Sequence, residues 1–87
     1  MNDPPAGAFP CEFPVKVMGR SDSDVRALTA AIVSRHFGEI AEEGVRVRAS
    51  ADGNFVALTY TVHAQDRAQL DALYRELTAC EAVLMAL

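Results

Sequence analysis

Eighty-seven residues are enough for one domain with an adequate but small core. A composition that is 51% hydrophobic and 23% charged belongs to a globular chain and excludes a disordered one. Twelve acidic against eight basic residues give a net charge of −4 and argue against a nucleic-acid backbone as the general partner.

Met1 to Pro10 has neither the basic nor the apolar region of a secretory signal, and its three prolines and one glycine predict a loose tail. The domain proper is expected over 11–87. Without an apolar run of about 18 residues no membrane span is expected, and the expected setting is the cytoplasm.

The first strand is predicted from about Glu12 to Met18, with Phe13, Val15 and Val17 on one face. Gly19 is read as its end. Ser21, with Asp24 three residues on, resembles a capping box, and Val25, Leu28, Ile32 and Phe37 form the apolar stripe of a first helix that Gly38 stops. An acidic loop, Glu39 to Gly44, leads to a second strand in which Val45, Val47 and Ala49 alternate with Arg46 and Arg48. Asp52-Gly53 marks a tight hairpin into a third strand, Phe55 to His63. Asp66 and Gln69 form a second box, followed by the helical stripe Leu70, Leu73, Tyr74 and Leu77. Glu81 to Leu87 is predicted as a short apolar last strand.

Much of this pattern is written twice. With an offset of 45 residues, Phe13, Val15 and Val17 align with Leu58, Tyr60 and Val62. In the same register Gly19 meets Ala64, Ser21 meets Asp66, Val25 meets Leu70, and Leu28 meets Leu73. A repeated strand-helix unit in the order βαββαβ, with both helices seeking one apolar sheet face, predicts an α+β ferredoxin-like sandwich with sheet order 4-1-3-2. In that sheet Cys11 and Cys80 fall at opposite ends, too far apart for a disulfide.

Sites of chemistry are sparse. His36 and His63 share no ligand spacing with each other or with the cysteines, so no metal and no cofactor is expected. No Ser-His-acid spacing suggests catalysis, and the chain is read as non-enzymatic. By parity the sheet face away from the helices displays Lys16, Met18, Arg46, Arg48, Ser50, Phe55, Thr59, Thr61, His63, Leu84 and Ala86. That mixture suits a solvated face, or a binding face for a partner protein or small anion. Stacking aromatics on the central strands, as RNA-binding domains of this topology carry, are missing apart from Phe55. From Ala82 to Leu87 the last strand carries no charged side chain, so its edge, Ala82, Leu84 and Ala86, is expected to seat a second copy or another protein.

Phe9-Pro10, Phe13-Pro14, Lys16-Val17-Met18-Gly19, Gly53-Asn54 before Phe55, and Leu73-Tyr74 with Glu76-Leu77 together resemble the YbeD-like family of small bacterial proteins. The resemblance covers nearly the whole chain after Pro10. It implies a βαββαβ fold like that of ACT regulatory domains, a bacterial cytosolic setting, and a regulatory or ligand-sensing role, with no catalytic residues to carry over. By that analogy a small, amino-acid-like molecule would bind at the turn after the first strand, where Gly19, Arg20 and Ser21 stand. The expected roles are therefore an ACT-like regulatory or protein-interaction module, a small-molecule sensor, or an accessory subunit of an enzyme.

Overall fold

The computed structural model describes residues 9–87. In chain order these form β1 (Cys11–Arg20), α1 (Val25–Phe37), β2 (Val45–Ala49), β3 (Phe55–Ala64), α2 (Arg67–Ala79) and β4 (Val83–Ala86), with a 3-10 turn, Glu42–Gly44, leading into β2. All neighbouring strands are antiparallel, in the order β2-β3-β1-β4, which is the expected order read from its other end. Most of the expected tail lies outside the described residues, but Phe9 packs against the core.

The repeat explains the centre of the sheet. β1 and β3 pair along all ten residues, and Val15 faces Tyr60, its own counterpart 45 positions on. The pseudo-twofold axis therefore passes between these two residues. Phe13, Val15, Val17, Leu58, Tyr60 and Val62 are all buried, facing Val25, Ile32 and Val33 of α1 and Leu70, Leu73 and Leu77 of α2. Strand alternation puts every second residue under the helices, which is why both central strands read with period two.

The helices differ in how they start. On α2 the box forms: Asp66 caps the helix by accepting from the Gln69 N–H at 2.9 Å. The Gln69 side chain accepts in turn from the Gln65 N–H and donates to the His36 carbonyl, tying the start of α2 to the end of α1. On α1 the expected box does not form. Asp24 is the capping residue but makes no side-chain cap bond, and the Ser21 hydroxyl donates across the molecule to the Gly53 carbonyl.

One member of the α1 stripe, Leu28, departs from the expected inward face, while Val25, Ile32 and Phe37 keep to it. Val25, Thr29, Ile32 and Val33 are buried, whereas Leu28 is exposed. Thr29 goes inward because Tyr60 brings a hydroxyl into the core. The Thr29 hydroxyl donates to the Val25 carbonyl at 2.7 Å and lies 2.7 Å from the Tyr60 hydroxyl, which is thereby satisfied without water. Burial pushes the Tyr60 phenol above its ordinary value.

Farther along α2, Glu76 receives both the Arg35 guanidinium and His36 Nε2 from the last turn of α1, the latter at 2.8 Å. Cys11 and Cys80 are free thiols. Cys11 opens β1 beside Ala64, while Cys80 precedes β4, whose Val83 pairs with Gly19. They stand at opposite ends of the sheet, as expected.

Candidate functional site

Gly19 lies inside β1 and does not end it, pairing with Val56 on one side and Val83 on the other. A Cβ there would sit 2.6 Å from Val25 Cγ2 and 2.7 Å from the Ala82 carbonyl oxygen. Its backbone angle is ordinary, since positive φ occurs only at Gly38 and Gly53 among the described residues. Gly19 is therefore there for close packing, not for a special turn. Arg20 pairs with Asp22 through Nε at 3.1 Å, and this holds the Asp22 carboxyl below its usual range. Besides its hydroxyl bond to Gly53, Ser21 donates its backbone N–H to Asn54 at 2.9 Å. The turn is thus tied to the β2–β3 hairpin, with a shallow depression of about 230 Å³ between them. A ligand at Gly19, Arg20 and Ser21 would have to compete with these internal partners.

The β4 edge also departs from the parity reading. The pairing shifts between Met18, opposite Met85, and Gly19, opposite Val83, leaving Leu84 as the extra residue of a bulge. Val83 and Ala86 consequently both turn toward the core, as does Ala82, while Leu84 and Met85 are both exposed. Ala86 is therefore not on the open face, and Met85 takes the place expected for it.

β4 covers only part of β1. Lys16 and Leu87 exchange backbone bonds of 3.0 and 2.7 Å, the last of this ladder, so among the described residues no strand lies beside Cys11 to Val15 on the side away from β3. Backbone groups of successive residues point to opposite sides, so Pro14 points to the same side as Lys16. Proline there has no N–H to offer an incoming strand, and Pro10 repeats the device. On β2, Arg46 and Arg48 pair with Thr59 and Ala57, and their side chains stand on the open face.

That face is organised in rows by the register. Gly44, Thr61 and Pro14 form one row; Arg46, Thr59, Lys16 and Leu87 the next; Arg48, Ala57, Met18 and Met85 the third. Along β3 the small side chains of Ala57, Thr59 and Thr61 make the floor of a trough of about 500 Å³. Arg46 and Arg48 wall it on the β2 side and Lys16 on the β1 side, with Glu43 near one end. The two walls stand two strand spacings apart, about 10 Å between Cα positions. The side chains of Lys16, Arg46 and Arg48 have no ion-pair or hydrogen-bond partner among the described residues. Beyond Lys16 the surface turns apolar, with Met18, Met85 and Leu87 39–52% exposed.

Alternation gives Lys16, Arg46, Arg48, Thr59 and Thr61 of this trough, but not Pro14, Glu43, Gly44 or Ala57, nor the gathering of all of these into two walls and a floor. The signal that was available is the side-chain size on β3, small at every open-face position from Ala57 to Thr61. Among the described residues no group of three or more His, Cys, Asp and Glu stands together as metal ligands, and no helix is long and apolar enough to cross a membrane.

The family described as "Protein of unknown function (DUF493)" matches residues 5–87. A UPF0250 protein of Paraburkholderia phymatum is 44% identical over 70 residues, covering 80% of this chain and 79% of the relative. A UPF0250 protein of Chromobacterium violaceum is 42% identical over 79 residues, covering 91% and 89%. One from Nitrosomonas europaea is 36% identical over 69 residues, covering 79% of each. The chain belongs to this family, the YbeD-like one that its Phe-Pro and Lys-Val-Met-Gly stretches resemble.

Proposed function

We propose that this family member is a non-enzymatic regulatory module that works by binding another protein on the open face of its sheet. One observation carries the reading: three cations without partners wall an uncovered trough, beside exposed methionine and leucine, in a chain whose net charge is −4. Three like charges on neighbouring strands repel one another, and the carboxylates of a partner would offset that repulsion. Exposed Met18, Met85 and Leu87 next to them give the apolar contribution that a protein interface needs. The trough is open and offers a small molecule little burial, which favours a macromolecular partner over a sensor role.

A photo-crosslinking residue placed singly at Thr61, Ala30 and Ser21 of the full chain, in the native bacterium, tests this. Thr61 stands on the open face, Ala30 on the exposed side of α1, and Ser21 at the β1–α1 turn. Protein adducts from Thr61, with few or none from Ala30, are expected. Adducts from Ala30 or Ser21 alone would move the binding surface elsewhere and defeat the reading.

A further inference from the structure

We infer that the partner element seated in the trough is an amphipathic helix with acidic flanks and an apolar stripe. This rests on the reading of the open face as the docking surface and adds the chemistry of what docks there.

An extended segment laid on the face of a sheet would leave its own backbone N–H and C=O groups unpaired, because a sheet offers partners only at its edges. A helix satisfies its backbone internally and can lie on a face. The dimensions agree: the walls stand about 10 Å apart, and a helix with its side chains is about 10–12 Å across. The small floor of Ala57, Thr59 and Thr61 lets it settle between them.

Charge decides its flanks. Arg46 and Arg48 are two residues apart on one strand, so their side chains rise about 6.7 Å apart. Acidic side chains three or four apart on a helix are about 5–6 Å apart, close enough to meet both arginines together. Lys16 on the other wall, across Thr59 from Arg46, meets an acid on the opposite flank. Glu43 near one end disfavours a further acid there and so biases the helix's placement. Met18, Met85 and Leu87 lie beyond Lys16 and receive apolar side chains, methionine adapting readily to an irregular surface. A second copy placed face to face would bring six unpaired cations together and is opposed by their repulsion.

The test uses the full chain with a photo-crosslinking residue at Thr61 or at Met85, and the attached partner segment is sequenced. The expected segment carries an excess of Asp and Glu at three- and four-residue spacing, with apolar residues between them in helical register. Arg46→Glu with Arg48→Glu should reduce the adduct by about tenfold or more, while circular dichroism and thermal melting match the wild type. Arg46→Lys with Arg48→Lys should retain most of it. A neutral or basic segment, a nucleic acid or a second copy in the adduct would overturn the acidic-helix inference and leave the open face standing as the docking surface. So would an adduct undiminished by the double charge reversal. Absence of adducts from both positions would overturn the open-face reading, and the inference with it.

Discussion

Leu28 and Leu73 hold equivalent places in the 45-residue repeat, yet Leu73 is fully buried and Leu28 is 44% exposed. The two halves differ the same way at the helix starts, where Asp66 caps α2 while its counterpart Ser21 reaches over to Gly53. They differ again at the ends of the central strands, where Gly19 is pressed against Val25 and the Ala82 carbonyl and its counterpart Ala64 has room for a methyl group. A shared pattern thus specifies strand, turn and helix in both halves but not which side chain does a given job. Each half packs against a different neighbour: α1 meets a tyrosine hydroxyl from β3, and α2 meets aliphatic residues and β4.

Substitution at the leucine pair is the sharpest way to break this comparison. Leu73→Ala should cost about 2–5 kcal/mol of stability through the cavity it leaves. Leu28→Ala should stay within about 0.5 kcal/mol, as exposed positions do. Urea denaturation of both variants measures the contrast, and equal losses would mean that Leu28 is covered.

The glycine comes next. Gly19→Ala forces a methyl group against a buried β-branched side chain and a backbone carbonyl, neither of which can yield easily, and should cost about 1–3 kcal/mol. The opposite change at the equivalent position, Ala64→Gly, should cost less, about 0.5–1 kcal/mol in backbone entropy plus the lost methyl contacts. Thermal melting of the two variants ranks them.

At the helix starts, Asp66→Ala removes a cap and should cost about 1 kcal/mol, with amide exchange accelerated in the first turn of α2. Ser21→Ala should leave the first turn of α1 as protected as before and instead loosen the hairpin around Gly53, since its hydroxyl serves that carbonyl. Hydrogen exchange followed residue by residue separates the two outcomes.

The last contrast concerns Tyr60, whose repeat counterpart is Val15. Burial raises the phenol above its ordinary value of 10.0, so the folded chain holds this proton more tightly than the unfolded chain does. The stability it contributes is fully present below pH 10 and is lost as pH rises through the folded value. Tyr60→Phe should cost about 1 kcal/mol at pH 7 and flatten the loss seen above pH 10. A denaturation series from pH 8 to 11.5 shows whether the two curves converge.

Much of the candidate site was legible before the fold was seen. Lys16, Arg46, Arg48, Thr59 and Thr61 follow from counting alternate residues on three strands, because side chains on an unbroken strand switch faces at every step. The same count failed at Ala86, because the bulge at Leu84 inserts one residue and inverts the parity beyond it. Nothing in the local pattern of an apolar four-residue strand announces such a bulge. The inward turn of Thr29 had a trace in the sequence: a tyrosine at a core position of β3 requires a hydroxyl partner, and a threonine one turn along from Val25 supplies it.

By itself, then, the amino-acid order determined the succession of elements, the twofold repeat, the central position of β1 and β3, and the sheet order. These depend on periodicities of two and about 3.6 residues and on the single apolar face that each helix must share with the sheet. Tertiary structure alone decided the burial of Thr29 in place of Leu28, the use of Ser21 as a tether, the close packing of Gly19 and the bulge of β4. It also brought Lys16 of β1 opposite Arg46 of β2, across β3, which follows β2 through a tight hairpin but lies far from β1 in sequence. Local patterns leave such choices nearly degenerate, and a contact between distant segments, a buried hydroxyl to satisfy or a carbonyl to avoid, then selects among them.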